Sequence, residues 1–209
     1  MVDGAAFALF LSGALLLNIT PGPDMAFTLA STARGGTRAG FAAALGIGAG
    51  SLGWAFATAA GLAAMLAASE HALTVIRIAG GLYLLYLAAR TLMEKSAPLK
   101  AEGAAGALQS FRSGALTNLF NPKVGLFYLA FLPSFANPEA GPVALQILLL
   151  GAIFSVTGTL VLFIVAAAAG ALRGVFAASR SVQGVTKAIS ASVFGGLGAY
   201  LLFSERPGA

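Results

Sequence analysis

The chain has no cysteine and a single histidine, His71. That excludes disulfides, thiolate metal sites and dithiol redox chemistry, and no histidine cluster can form within one copy. Charge is also scarce: 9% of residues are Asp, Glu, Lys or Arg, against about 25% in an ordinary soluble domain. Meanwhile 58% of the 209 residues are hydrophobic. A soluble fold of this size leaves roughly a third of its unfolded chain's surface wet, too much to keep such a composition away from water. Lipid has to be the solvent for most of the chain. A net charge of +5 points to nucleic acid in a soluble protein. Here the basic residues fall in short connections between apolar stretches, so no nucleic-acid partner is expected. The start, Met1 to Gly4, lacks a basic n-region and no small-residue cleavage site follows, so it reads as a retained first helix.

What the sequence does have is length in its apolar runs. Six stretches, 5–31, 39–67, 72–92, 112–135, 143–170 and 183–203, reach the ~20 residues that a helical membrane span requires. The expected fold is an all-α integral membrane protein of six transmembrane helices. One polar connection is long, and it divides a first three-helix unit (1–93) from a second (112–209) through a linker (94–111). The connections after helices one, three and five hold Arg34, Arg38, Arg90, Lys95, Lys100, Arg112, Arg173, Arg180 and Lys187, whereas the other side has Arg77 and Arg206. By the positive-inside rule the basic loops are cytoplasmic and both termini lie outside.

The two units echo each other. Leu45-Gly46 in helix two matches Leu150-Gly151 in helix five, and Gly80-Gly81-Leu82-Tyr83-Leu84-Leu85 matches Gly195-Gly196-Leu197-Gly198-Ala199-Tyr200-Leu201-Leu202. Helix one is interrupted at Thr20-Pro21-Gly22-Pro23 and helix four at Asn121-Pro122. Two three-helix units in series insert with opposite orientation, so the expectation is a 3+3 inverted repeat, an arrangement characteristic of transporters.

Chemistry concentrates at the two interruptions. Proline removes an N–H donor and crowds the preceding turn, so Pro21-Gly22-Pro23 cannot continue a helix. Backbone groups freed at membrane depth need protein or water partners. Thr20 before Pro21, and Asn121 before Pro122, resemble N-caps followed by proline at the first helical position. Each interruption would then start a half-helix with a partly positive end. The intramembrane charges sit beside them: Asp24 is ten residues before Arg34 and Lys123 eleven after Arg112. At about 1.5 Å per residue, both lie roughly 15 Å from the cytoplasmic marker, near the midplane.

Two roles stay open. Asp24 and Lys123 can be a structural ion pair joining helices one and four. They can also handle cargo: Lys123 and the half-helix ends would receive a zwitterion's carboxylate, and Asp24 with unwound carbonyls its ammonium. Asp24 can alternatively carry a coupling proton. Asn18, Asn118 and Asn121 flank the interruptions, either to contact a ligand or to cap and cross-link helices.

Other signals are discounted. Gly48-Ala49-Gly50-Ser51-Leu52-Gly53 fits a dinucleotide fingerprint, but no strand precedes it. Gly46 and Gly50 instead give a GxxxG spacing suited to close helix packing. Ser51 and His71 do not make a credible protease pair, since His71 falls in a connection beside Glu70. Trp54, Tyr83, Tyr86 and the phenylalanines read as packing and interfacial anchors. No cofactor, metal or enzymatic activity is expected. The glycine-rich faces suit contacts within one chain or between two, leaving a homodimer open.

At Thr20-Pro21-Gly22-Pro23-Asp24, Asn121-Pro122-Lys123, Phe131-Leu132-Pro133 and Gly80-Gly81-Leu82-Tyr83-Leu84 the chain resembles the LysE/RhtB family of amino-acid exporters. The resemblance runs essentially from end to end. It implies efflux of amino acids such as threonine, homoserine, leucine or lysine, or of their derivatives, across the bacterial inner membrane, driven by the proton motive force. Carried over by position, it points to Pro21–Asp24 and Asn121–Lys123 as the transport core. A passive channel and a purely structural membrane component are the competing readings.

Overall fold

A computed structural model describes residues 4–68, 72–93, 102–171 and 180–203. The described residues are helical almost throughout: α1 (Gly4–Ile19), α2 (Pro23–Ala68), α3 (Ala72–Met93), α4 (Ala107–Leu119), α5 (Pro122–Leu126), α6 (Val143–Ala171) and α7 (Arg180–Phe203). Residues 94–101 of the linker, His71 and the side chains of Arg77, Arg173, Arg180, Lys187 and Arg206 lie outside the described residues. Among the described residues two helices are long and apolar enough to cross a membrane, Pro23–Leu62 within α2 and Val143–Ala171. Gly4–Ile19, Ile78–Met93 and Ala191–Phe203 are shorter apolar segments.

The 46-residue α2 is interrupted at Gly36, where φ is 76° and ψ −179°. A side chain resists that positive φ, and glycine does not. The interruption separates the expected helices one and two, so the expected helix one consists of α1 plus the first arm of α2. The expected fourth helix is also composite. After α4 the chain turns at Phe120 and Asn121, then runs through α5, a π-helical turn (Phe127–Phe131) and a 3₁₀ turn (Leu132–Phe135). Pro133 has no N–H for a regular α ladder, and the change of helical pitch absorbs the missing donor.

α2 packs chiefly on α4 and α6, and α3 on α7. The α2–α4 contact is made main chain to main chain. A Cβ added at Gly46 would land on the Phe111 carbonyl, one at Gly50 would come 2.6 Å from the Ala115 carbonyl, and one at Gly114 would come 2.5 Å from the Ala43 carbonyl. The GxxxG spacing of α2 thus finds its partner in α4 of the same chain. The α3–α7 contact is reciprocal: a Cβ at Gly81 would meet Leu202 at 2.8 Å and the Gly198 carbonyl at 3.2 Å, and one at Gly198 would meet the Gly81 carbonyl at 2.9 Å and Leu85 at 3.0 Å. The two glycine motifs therefore pack directly on each other through Gly81 and Gly198.

Aromatic rings fill the centre. Phe127 stacks on Phe154 with centroids 4.1 Å apart, and Phe10, Phe131 and Phe135 extend the cluster. Inside it, the fully buried Tyr128 donates its hydroxyl to the Gly151 carbonyl at 2.9 Å and shares a 2.9 Å hydrogen bond with Ser51 Oγ. Tyr128→Phe should destabilise the fold by about 1–3 kcal/mol, the cost of leaving buried partners unsatisfied, measurable as a lower thermal midpoint in detergent.

Candidate functional site

The interruption between α1 and α2 leaves the last carbonyls of α1 without helical donors. Thr20 does not cap α2. Its hydroxyl donates back to Leu16 O at 2.6 Å, and its N–H continues the α1 ladder to Leu16 and Leu17. The first helical residue of α2 is Pro23, not Pro21, with the Gly22 carbonyl accepting the first bond from Ala26 N–H. The expected Thr20-Pro21 start is corrected here: Pro21 and Gly22 form the crossing segment, and the threonine hydroxyl finds a nearer acceptor in the preceding turn. At the other interruption, Asn121 Oδ1 accepts from the Lys123 N–H at 3.1 Å, and Pro122 is the first helical residue of α5.

The two interruptions are bound to each other. Lys123 reaches across from α5 and donates through Nζ to the carbonyls of Thr20 at 2.8 Å and Leu17 at 3.2 Å. A cation there meets the negative end of the α1 dipole. Asp24, buried in the first turn of α2, accepts through Oδ2 from Asn118 Nδ2 at the end of α4, at 2.8 Å. Neither hydrogen bond of the Lys123 ammonium goes to Asp24, so the charges are not joined as the simple structural ion pair would have them. Lys123 instead holds the carbonyl end of α1, and Asp24 holds the side chain of Asn118 at the end of α4.

Asn18 does not turn to the charges. Its Nδ2 donates to Thr157 Oγ1 at 3.0 Å and to the Phe154 carbonyl at 3.3 Å, tying the end of α1 to α6. α6, far downstream in sequence, therefore joins α1, α2, α4 and α5 around the site. Ser155 Oγ donates to the Gly48 carbonyl at 2.9 Å, joining α6 to α2. Ser155 and Thr159, one turn apart in an otherwise apolar run, are the signal in the sequence that one face of α6 meets polar partners.

These elements enclose a cavity of about 30 Å³ lined by Asp24, Asn118, Lys123, Asn18 and Thr20 on one side and by α2 and α6 residues such as Ile47 and Phe154 on the other. Water needs about 10–15 Å³ by the same measure, so the space holds one or two water molecules. Three buried side-chain atoms of this cluster have no hydrogen-bond partner: Asp24 Oδ1, Asn118 Oδ1 and Asn121 Nδ2. Two are acceptors and one is a donor. No group of three or more metal-ligating side chains occurs among the described residues.

Apolar helices around a buried acid and a half-buried lysine, each set at a helix end, define an all-helical protein suited to lipid. The profile of the family described as LysE type translocator matches residues 15–205, and the chain belongs to that family of membrane transporters. It is 32% identical over 139 residues to a leucine efflux protein of Salmonella typhimurium, a match spanning 63% of this chain and 63% of the relative, just under two thirds of the relative's length. It is also 30% identical over 158 residues to the uncharacterized membrane protein YrhP of Bacillus subtilis, covering 70% of this chain and 75% of the relative. The uncharacterized membrane protein PA4757 of Pseudomonas aeruginosa is 29% identical over 163 residues, covering 75% and 76% respectively. No solved structure matches the chain significantly.

Proposed function

We propose that this protein is a secondary exporter of amino acids in the bacterial inner membrane, working by proton antiport and alternating access. Six spans in two inverted halves, with both termini outside, would carry the site between them. The observation that carries the reading is the cross-bonded pair of helix interruptions: Lys123 on the carbonyl end of α1, and Asn118 on Asp24 at the start of α2. A zwitterion needs an acceptor for its ammonium and a donor for its carboxylate a few ångströms apart, and the orphaned atoms of Asp24, Asn118 and Asn121 have that composition. The leucine efflux relative supports an amino acid as cargo. The reciprocal Gly81–Gly198 contact supports the two-fold relation of the halves.

A site of 30 Å³ cannot accept an amino acid, since small-molecule pockets run to about 300 Å³ and more. Helix rearrangement at the interruptions would open the site to an amino acid. The test is release of labelled amino acids from proteoliposomes with and without an imposed pH gradient. Saturable release of a subset, accelerated by the gradient, is expected. Gradient-independent flux that does not saturate would replace the carrier by a channel. No amino-acid release from correctly inserted protein would turn the search to other solutes.

A further inference from the structure

The free carbonyl end of α1 already has an occupant, and it is chemically the same group that the cargo carries. The Thr20 carbonyl receives Lys123 Nζ at 2.8 Å and the Leu17 carbonyl receives it at 3.2 Å. A primary ammonium on a short tether fills the place where the primary ammonium of an amino acid finds main-chain acceptors. Position 22 is shaped around this occupant. A Cβ at Gly22 would come 3.3 Å from Nζ of Lys123, a tight approach, and in ordinary contact with Cε at 3.5 Å. The cavity has no room for the lysine head in this position and a substrate as well. Asp24 Oδ1 and Asn118 Oδ1, buried and without a hydrogen-bond partner in the same cluster, remain as further acceptors for an incoming ammonium.

We propose that Lys123 is a built-in stand-in for the substrate ammonium: it closes the empty carrier by holding the Leu17 and Thr20 carbonyls, and the incoming substrate's ammonium takes those carbonyls in exchange. The displaced lysine then becomes the donor for the substrate carboxylate. This rests on the reading of the protein as a carrier of zwitterions, and it adds an order of events. The ammonium unlocks the site, and the carboxylate engages only after Lys123 has been released. A cargo with a blocked amine cannot perform the first exchange.

The test uses the purified full-length protein and simple amines, with thermal unfolding as the readout. Lys123→Ala removes the occupant and should lower the midpoint by several degrees. Ethylammonium, a primary ammonium without a carboxylate, should recover most of that loss. Tetramethylammonium at the same ionic strength, having no N–H donor, should not, and the wild type should respond to neither. Should the alanine variant not fold, Lys123→Met keeps the stem's bulk and gives the same contrast. Absence of recovery, or equal recovery with tetramethylammonium, overturns the proposal. The readout involves no transport, so its result is separate from that of the vesicle assay: recovery without amino-acid release would retain the ammonium site and discard the export reading.

Discussion

Asp24→Asn is expected to abolish transport, lowering the initial rate by about two to three orders of magnitude, while leaving a folded and inserted protein. The substitution is nearly isosteric, and the amide oxygen can keep the 2.8 Å bond from Asn118 Nδ2. Lys123 is held by main-chain carbonyls and not by Asp24, so the scaffold at the interruption does not depend on the negative charge. What disappears is the buried carboxylate, which the proposed mechanism needs for the substrate ammonium or a coupling proton. Truncating one partner of a charged contact in recognition costs about 2–5 kcal/mol, and each 1.4 kcal/mol is a factor of ten. Initial rates of gradient-driven release, taken together with thermal midpoints, separate the two effects. Transport close to wild type in Asp24→Asn would remove this residue from the mechanism.

Gly46→Leu should prevent the protein from reaching its folded state. A Cβ at this position coincides with the Phe111 carbonyl on α4, and the backbone approach is repeated at Gly50 and Gly114. A clash with main chain is not relieved by a rotamer change, so α2 and α4 would have to separate along their contact. Overpacking ordinarily costs about 1–3 kcal/mol, and a backbone obstruction belongs at or beyond the upper end. The interface lost would also misplace Asn118, which lies on α4 one turn beyond Gly114 and holds Asp24. Size-exclusion profiles in detergent should show aggregate or no material. Gly61→Ala is the control: nothing lies within 4 Å of its added Cβ, and alanine stabilises a helix interior by roughly 0.5–1 kcal/mol over glycine. Monodisperse Gly46→Leu protein with a wild-type midpoint would contradict this account of the packing.

Much of this was legible in the residues because membrane helices advertise themselves by composition. Proline in an apolar run marks where a helix must stop, and an ionisable side chain beside that stop marks where something other than lipid is met. That reasoning led to Asp24 and Lys123. It did not give the partner of each charge, because hydrogen-bond partners depend on how helices pack in three dimensions. The residues left open whether Lys123 pairs with Asp24 or serves cargo, and it holds the carbonyls of Leu17 and Thr20. Thr20 was expected to cap forward, but a threonine hydroxyl in a helix bonds to the carbonyl four residues back whenever the helix reaches it. Gly36 carried no warning, being one glycine among 27, yet its positive φ separates the two arms of α2. The contribution of α6 was missed for a related reason. Its hydroxyls lie over a hundred residues from Asn18 and Gly48 in sequence, and only packing brings them together.

The central claim is that one site reads both charges of a zwitterion. Its most direct test is competition in proteoliposomes against the labelled amino acid that the release assay identifies. Unlabelled amino acid should compete fully, whereas its N-acetyl derivative and its amide, each lacking one charge, should compete about a hundredfold more weakly, in line with the loss of one charged hydrogen-bond partner. Equal competition by either blocked analogue would contradict the account and leave Asp24 and Lys123 as structural charges at two helix ends.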